Sequence, residues 1–251
     1  MSMRFLLTRP MAMAAETAEK LQALGHEALP APMLDIVARP VGDLPADTFD
    51  AIILTSRNAL EVLAQSETLA RYRLTPLLVV GERSARRALE LGLPKPVEIA
   101  NDVAGLIAAI AGDYRGKRLL YLRGADITQD LAGILRREGL RIEEQIVYEA
   151  VARTIMAPAM RQALNNEKID GVLFYSTRTA EIFVRLIEQE DQKSLCRPMI
   201  AYCLSSHIST KLPLDMFGGL RIAPHASEAA LLALLPQAHL SSNGETKGEK
   251  R

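Results

Sequence analysis

The sequence predicts an α/β protein whose parallel sheets are covered by helices on both faces. Three observations lead there. Short apolar runs alternate with amphipathic stretches along nearly the whole chain, as in successive βαβ units. One joint occurs twice: DAIILTSRNALEVL from Asp50 and DGVLFYSTRTAEIFVRL from Asp170 share an Asp, an apolar block, a serine, an arginine within two residues and a helical pattern, with Asp, Ser and Glu all at an offset of 120. At 251 residues and 49% apolar composition, the chain is long enough to bury sizeable cores in one or two domains.

In chain order, RFLLT precedes a helix MAMAAETAEKLQALG that Gly25 closes as a C′ residue. AIILTS precedes RNALEVLAQ, LLVVG precedes ERSARRALELG, and VEIA precedes DVAGLIAAIAG. RLLYLRG precedes DITQDLAGILRREG, and GVLFYS precedes TRTAEIFVRLIEQ. MIAYC precedes SSHISTKL, and LRIAP precedes SEAALLALLP. The repeat extends beyond its central joint. RFLLTRP matches RLLYLRG at an offset of 114, which puts Arg9 on Arg123 and Gly25 on Gly139. Strands therefore fall in groups of two, three, two and three, a duplicated five-strand unit. The copies are either sequential domains split near Gly116, or one domain formed by the chain ends with the other between them. In the second case the crossings are LDIVARP, 34–40, and QIVYEAVAR, 145–153, which could pair as a two-strand hinge.

Composition removes several classes of function. Lys plus Arg equal Asp plus Glu, so no bulk charge recruits nucleic acid or an anionic membrane. No apolar run reaches the roughly 18–20 residues of a membrane span, and MSMRFLLTRP reads as a first strand and not as a signal peptide. The two cysteines lack disulfide or zinc spacing, and a cytoplasmic chain with reduced thiols is expected. The polar tail 241–251 reads as disordered. GxxxxGK[ST], GxGxxG, HExxH and GxSxG are all missing, so no metal and no cofactor is expected.

In open parallel sheets the ligand lies beyond the carboxyl ends of the strands. Thr8 and Arg9 fall there, as do Ser56 and Arg57, Arg83 and Ser84, Arg123, Ser176 and Arg178, and Ser205 and Ser206. Hydroxyls at helix starts with guanidinium groups beside them suit an anion. Ser56 and Ser176 are in any case expected to cap their helices. Cys203 reads as a core thiol and His207 as a surface histidine. Tyr148, in VYEAV, is either an aromatic pinning a β-ladder or a proton donor facing a cleft between the lobes.

With these pieces assembled, the chain resembles the uroporphyrinogen-III synthase family over roughly residues 3–236. The resemblance is carried by LLTRP, IILTSRNAL, VVGERSARRALELG, LLYLRG, EEQIVYEAV, GVLFYSTRTAEIF and IAPHASEAALLALL. It implies two flavodoxin- or Rossmann-like parallel-sheet domains joined by a two-strand β linker, residues 1–36 with 153–240, and 39–147. The implied substrate is hydroxymethylbilane, a linear tetrapyrrole, closed to uroporphyrinogen III with loss of water and inversion of the terminal ring. No cofactor is implied, a monomer is expected, and the one partner expected is a transient contact with the deaminase that precedes it. Carried over by motif, Tyr148 would assist departure of the hydroxyl, with Thr8, Arg9, Ser56, Ser84, Ser176 and Ser206 lining the cleft; Arg57 and Arg123, read from their place at the strand ends, are expected to join them in holding substrate. Cys203 stands where the family usually has glycine. The competing expectation is a two-lobed α/β module that binds a small anion without catalysis.

Overall fold

The structure, a computed structural model, describes residues 1–42, 44, 48–127, 129–166 and 169–237. The expectation of a disordered tail, 241–251, falls outside them. The chain divides into two compact units, 1–35 with the described residues from 152 onward, and 36–151.

The first unit holds β1 (Arg4–Leu7), β2 (Glu27–Pro30), β9 (Gly171–Phe174), β10 (Ile200–Cys203) and β11 (Gly219–Ile222). Its helices are α1 (Met11–Ala23), α6 (Pro158–Asn166), α7 (Thr177–Gln189), α8 (Lys193–Cys196), α9 (Ser206–Ser209) and α10 (Glu228–Leu232). The second unit holds β4 (Ala51–Leu54), β5 (Leu77–Val80), β6 (Glu98–Ala100) and β7 (Arg118–Gly124). Its helices are α2 (Arg57–Gln65), α3 (Glu82–Glu90), α4 (Val103–Asp113) and α5 (Leu131–Arg137), with a 3₁₀ turn at Glu67–Tyr72. The chain passes between the units within β3 (Leu34–Ala38) and at the end of β8 (Arg141–Ala152).

The first sheet runs β2-β1-β9-β10-β11 and the second β3-β8-β7-β4-β5-β6. Without its edge strand β3, the second repeats the first position for position, although the chain enters it at a different strand. The paired strands whose register is resolved are parallel, including Phe5 opposite Gly171 and Ile53 opposite Tyr121. β3 is the exception. Arg39 N–H donates to Val147 O and Arg153 N–H to Met33 O, so residue numbers fall on one strand as they rise on the other. The two crossing segments do pair, but β8 is one unbroken strand that belongs to the six-stranded sheet.

Central strands sit between two helical layers, so they are apolar throughout and not alternating. Ala51 and Ile53 face α4 and α5 through Leu106, Ile110 and Leu135, while Ile52 and Leu54 face α2 and α3 through Leu60, Leu63 and Ala88. In the first unit Phe5 and Leu7 pack with Leu21 of α1 and Leu231 of α10. On the other face Phe174 meets Phe183 of α7 edge-on at 5.3 Å.

Gly25 and Gly139, at φ 80° and 88°, each follow a helix by two residues. The next N–H reaches back to the helix, His26 to Leu21 O and Leu140 to Leu135 O, which satisfies a terminal carbonyl. The expected helix ends are therefore present in both copies. Some helices are shorter than their patterns. SSHISTKL yields only Ser206–Ser209, and α5 begins at Leu131 because Asp130 caps it by accepting from Gly133 N–H.

Candidate active site

In each sheet the strand order reverses once, between β1 and β9 in the first and between β7 and β4 in the second. Helices leave such a pair toward opposite faces, which opens a crevice at the carboxyl ends. Thr8, Arg9 and Ser176 follow the strands of the first switch; at the second, Ser56 and Arg57 follow β4 and Arg123 lies near the end of β7, whereas Ser206 follows β10 and Ser84 follows β5, one strand further out.

In the second unit, β4 delivers Thr55 and Ser56. Ser56 is extended (φ −141°) and caps α2, accepting from Asn58 N–H at 3.2 Å. Tyr148 reaches it from β8 and donates its phenol proton to Ser56 Oγ at 2.9 Å. A register shift makes that reach possible: Arg123 lies opposite Ile146, but Gly124 lies opposite Tyr148. Consecutive strand residues normally point to opposite faces; at this bulge Val147 and Tyr148 pack against the same apolar layer. The phenol ring then lies on Gly124, where a Cβ would sit 2.7 Å from Cζ and 2.9 Å from the hydroxyl. On the other side of β4, Tyr121 and Thr55 share a hydroxyl bond at 3.1 Å, and burial pushes the Tyr121 phenol up.

The charged groups nearby have protein partners. Arg123 binds Glu144 at 2.8 Å and Gly124 O at 2.9 Å, and Arg136 binds the same Glu144 at 3.0 Å. Arg57 opens α2 and is also engaged within the protein. Ser84 is the third residue of α3, 7% exposed, and Gly81 holds the N-cap position in its place.

In the first unit Thr8 is fully buried and donates to Leu173 O at 2.8 Å, which ties β1 to β9 where the crevice begins. Arg9 stacks on Tyr175 with its guanidinium carbon 4.0 Å from the ring centre, and binds Glu228 at 2.6 Å and Thr17 at 3.0 Å. Lys20 and Thr17 also bind Glu228. Burial alone would raise the Glu228 carboxyl, but the bonds from Lys20 and Thr17 and the charges of Arg9 and Lys20 hold it below the usual carboxylate range. Tyr175 is pushed up to about 12 by burial and then by the Glu228 charge. Ser176 caps α7, accepting from Thr179 N–H at 3.2 Å, while Ser206 is exposed at the start of α9.

The structure thus brings Tyr148 and Ser56 together, and puts Arg9 and Arg123 in internal ion pairs where the sequence offered them to an anion. Sequence reasoning passed over Gly124, although it stands in the LRG motif, and Glu228, whose partner Arg9 lies 219 residues away. Cys203 is fully buried, its thiol pushed up to about 12 by burial, so it packs and does not react. Two cavities of about 480 Å³ open at the amino ends of the strands, one beside Arg118, Arg136 and Arg141, the other beside Arg4, Glu27 and Asp170. They lie at the opposite sheet edges from the crevices. Among the described residues no three His, Cys, Asp or Glu side chains gather as a metal site, and no helix is long and apolar enough to cross a membrane.

Fold and site together define an α/β protein of two doubly wound units, with hydroxyl and tyrosine groups at a strand-order switch. A family profile described as uroporphyrinogen-III synthase HemD matches residues 15–233. A putative uroporphyrinogen-III synthase from Methanothermobacter thermautotrophicus is 30% identical over 187 residues, 70% of this chain and 74% of that protein. The crystal structure of uroporphyrinogen-III synthetase from Helicobacter pylori 26695 shares the fold with a TM-score of 0.59 at 20% identity, over 93% of this chain and 98% of that one. The chain belongs to the uroporphyrinogen-III synthase family, hydro-lyases of tetrapyrrole biosynthesis.

Proposed function

We propose that the chain closes hydroxymethylbilane to uroporphyrinogen III at the carboxyl edge of the second sheet, with Tyr148 supplying the proton for loss of the terminal hydroxyl. The observation that carries this reading is the Tyr148 phenol, bonded to the α2 cap Ser56 at 2.9 Å and held on the bare face of Gly124. A phenol so placed can donate to a leaving oxygen, and its position is fixed before substrate arrives. The bilane cyclises unaided to the type I isomer, so the protein's task is to fold it and steer the closure. That demands placement more than strong acid–base chemistry.

Ser176 holds the equivalent cap in the first unit, and Ser84, Ser206 and Arg57 lie at helix starts. These positions are assigned to holding the substrate's carboxylates, through hydroxyls and helix N–H groups. Thr8, Arg9 and Arg123 are assigned to shaping the edges, because the Thr8 hydroxyl, the terminal nitrogens of Arg9 and the Arg123 guanidinium already bond protein acceptors, although the buried Arg9 Nε has none among the described residues. The chain works as a cytoplasmic monomer that takes the bilane from the deaminase making it.

The test supplies porphobilinogen and deaminase, with and without this protein, then oxidises the product and separates its isomers. A switch from type I to type III is expected. Type I alone, with the protein folded, would leave a small-anion-binding module as the better account.

A further inference from the structure

The two copies of the strand–serine–helix joint differ in where the serine proton goes. A serine hydroxyl has two lone pairs to accept with and one proton to donate. At Ser176 the set closes locally. Its oxygen accepts from Thr179 N–H, its hydroxyl lies 3.0 Å from Thr179 Oγ1, and Thr179 spends its own proton on Ser176 O at 3.0 Å. The Ser176 proton is therefore turned toward Thr179. At Ser56 the residue three further on is Ala59, which has no hydroxyl. The two lone pairs of Ser56 are taken by Asn58 N–H at 3.2 Å and by the Tyr148 phenol at 2.9 Å. Its proton has no acceptor among the described residues. Tyr148 also lacks a counterpart, because the offset of 114 puts Leu34 in its place.

We infer that Ser56, and not Tyr148, is the group that hands the proton to the departing hydroxyl, with Tyr148 behind it as the source. This step rests on the proposed reaction and deepens it. The substrate's C–O bond breaks and its electron pair goes to oxygen. The Ser56 proton bonds to that oxygen to make water, and the Tyr148 proton moves to Ser56 Oγ. The ring nitrogen replaces the lost bond with its own electrons and gives up its N–H proton, which returns the phenolate to phenol. One water leaves, and both side chains end as they began. Ser56 is then a catalytic residue, and Tyr148 and Gly124 act through it. The copy at Ser176 keeps its cap and has no relay, since Thr179 takes the proton there.

The test uses the full chain and separates the cap from the proton. Ser56→Asn keeps a neutral N-cap of equal quality, but an amide cannot surrender a proton. It is expected to melt within a few degrees of the wild type, to keep KM within about twofold and to lose about tenfold or more in kcat. Ser56→Thr, which keeps both cap and hydroxyl, should restore most of the rate. Combining Ser56→Asn with Tyr148→Phe should cost no more than the larger single loss, as groups acting in series do. An aminomethyl bilane, whose leaving group is already an ammonium, should be turned over by Ser56→Asn within about threefold of wild type. Full activity of Ser56→Asn, or losses that multiply in the double variant, would overturn the relay and leave Tyr148 donating directly. Wild type making only type I isomer would sink the reaction itself, a distinguishable outcome.

Discussion

Tyr148 donates to Ser56 across 92 residues of sequence, and that one bond separates two roles open to an aromatic at a strand end. Replacing Tyr148 with Phe keeps the ring on Gly124 and removes only the proton. Turnover should fall about tenfold or more with little change in melting temperature, measured by isomer-resolved product formation and by circular dichroism. Glu228 makes the opposite kind of contribution. Its carboxylate is more acidic folded than unfolded, so its stabilisation is complete above the ordinary value near 4.5 and is lost as pH falls through the lower folded value. Glu228→Gln should cost roughly 1.5–3 kcal/mol at pH 7, the range for hydrogen bonds to charged groups. Denaturant melts from pH 7 to pH 3 should show the difference from wild type shrinking in acid. At this scale the sequence was least readable. Serines at helix starts announce caps, and both Ser56 and Ser176 are caps. Which arginine meets which carboxylate depends on long-range packing, so Arg9 and Arg123 read as free cations until Glu228 and Glu144 are placed beside them.

The bulge in β8 is the element that makes the site. One extra residue opposite Gly124 turns Tyr148 onto the layer that Val147 already occupies, and the missing Cβ of Gly124 leaves room for the ring. Gly124→Ala would drive a methyl group into the ring, which must swing off Ser56. Turnover should drop about as far as in Tyr148→Phe, and the two changes together should cost no more than either alone. Multiplicative losses would show that Gly124 acts independently of Tyr148. The elements themselves were largely legible, because apolar runs, capping serines and closing glycines each have a local cause. The bulge was not. It follows from how two strands 20 to 30 residues apart align, and neither strand carries a sign of it alone.

Across the whole molecule the duplication is more regular in three dimensions than in sequence. At the amino end of the first sheet Asp170 accepts from Arg4 N–H at 2.9 Å and returns its own N–H to Arg4 O; Asp50 and Arg118 repeat the clasp in the second. These aspartates begin the repeated motif, so the repeat marks a strand-pairing device as well as a joint. Two matching sheets with separate apolar layers imply that each unit carries its own stability. Residues 36–151 expressed alone should melt cooperatively with an α/β circular dichroism spectrum, and a featureless melt would show that its core needs the rest of the chain. The two-unit plan was legible from the offsets, but they left its parsing open, since both divisions give the same strand count, and only the family resemblance pointed to the discontinuous one. The clasp between Arg4 and Asp170 also carries a consequence for synthesis. Residue 5 leaves the ribosome roughly ten to thirty seconds before its neighbour Gly171, at about 5–20 residues per second, while all of 36–151 emerges in between. β1 thus meets β9 only after all of 36–151 has been made, and until then β2 is the one neighbouring strand of its sheet available to it.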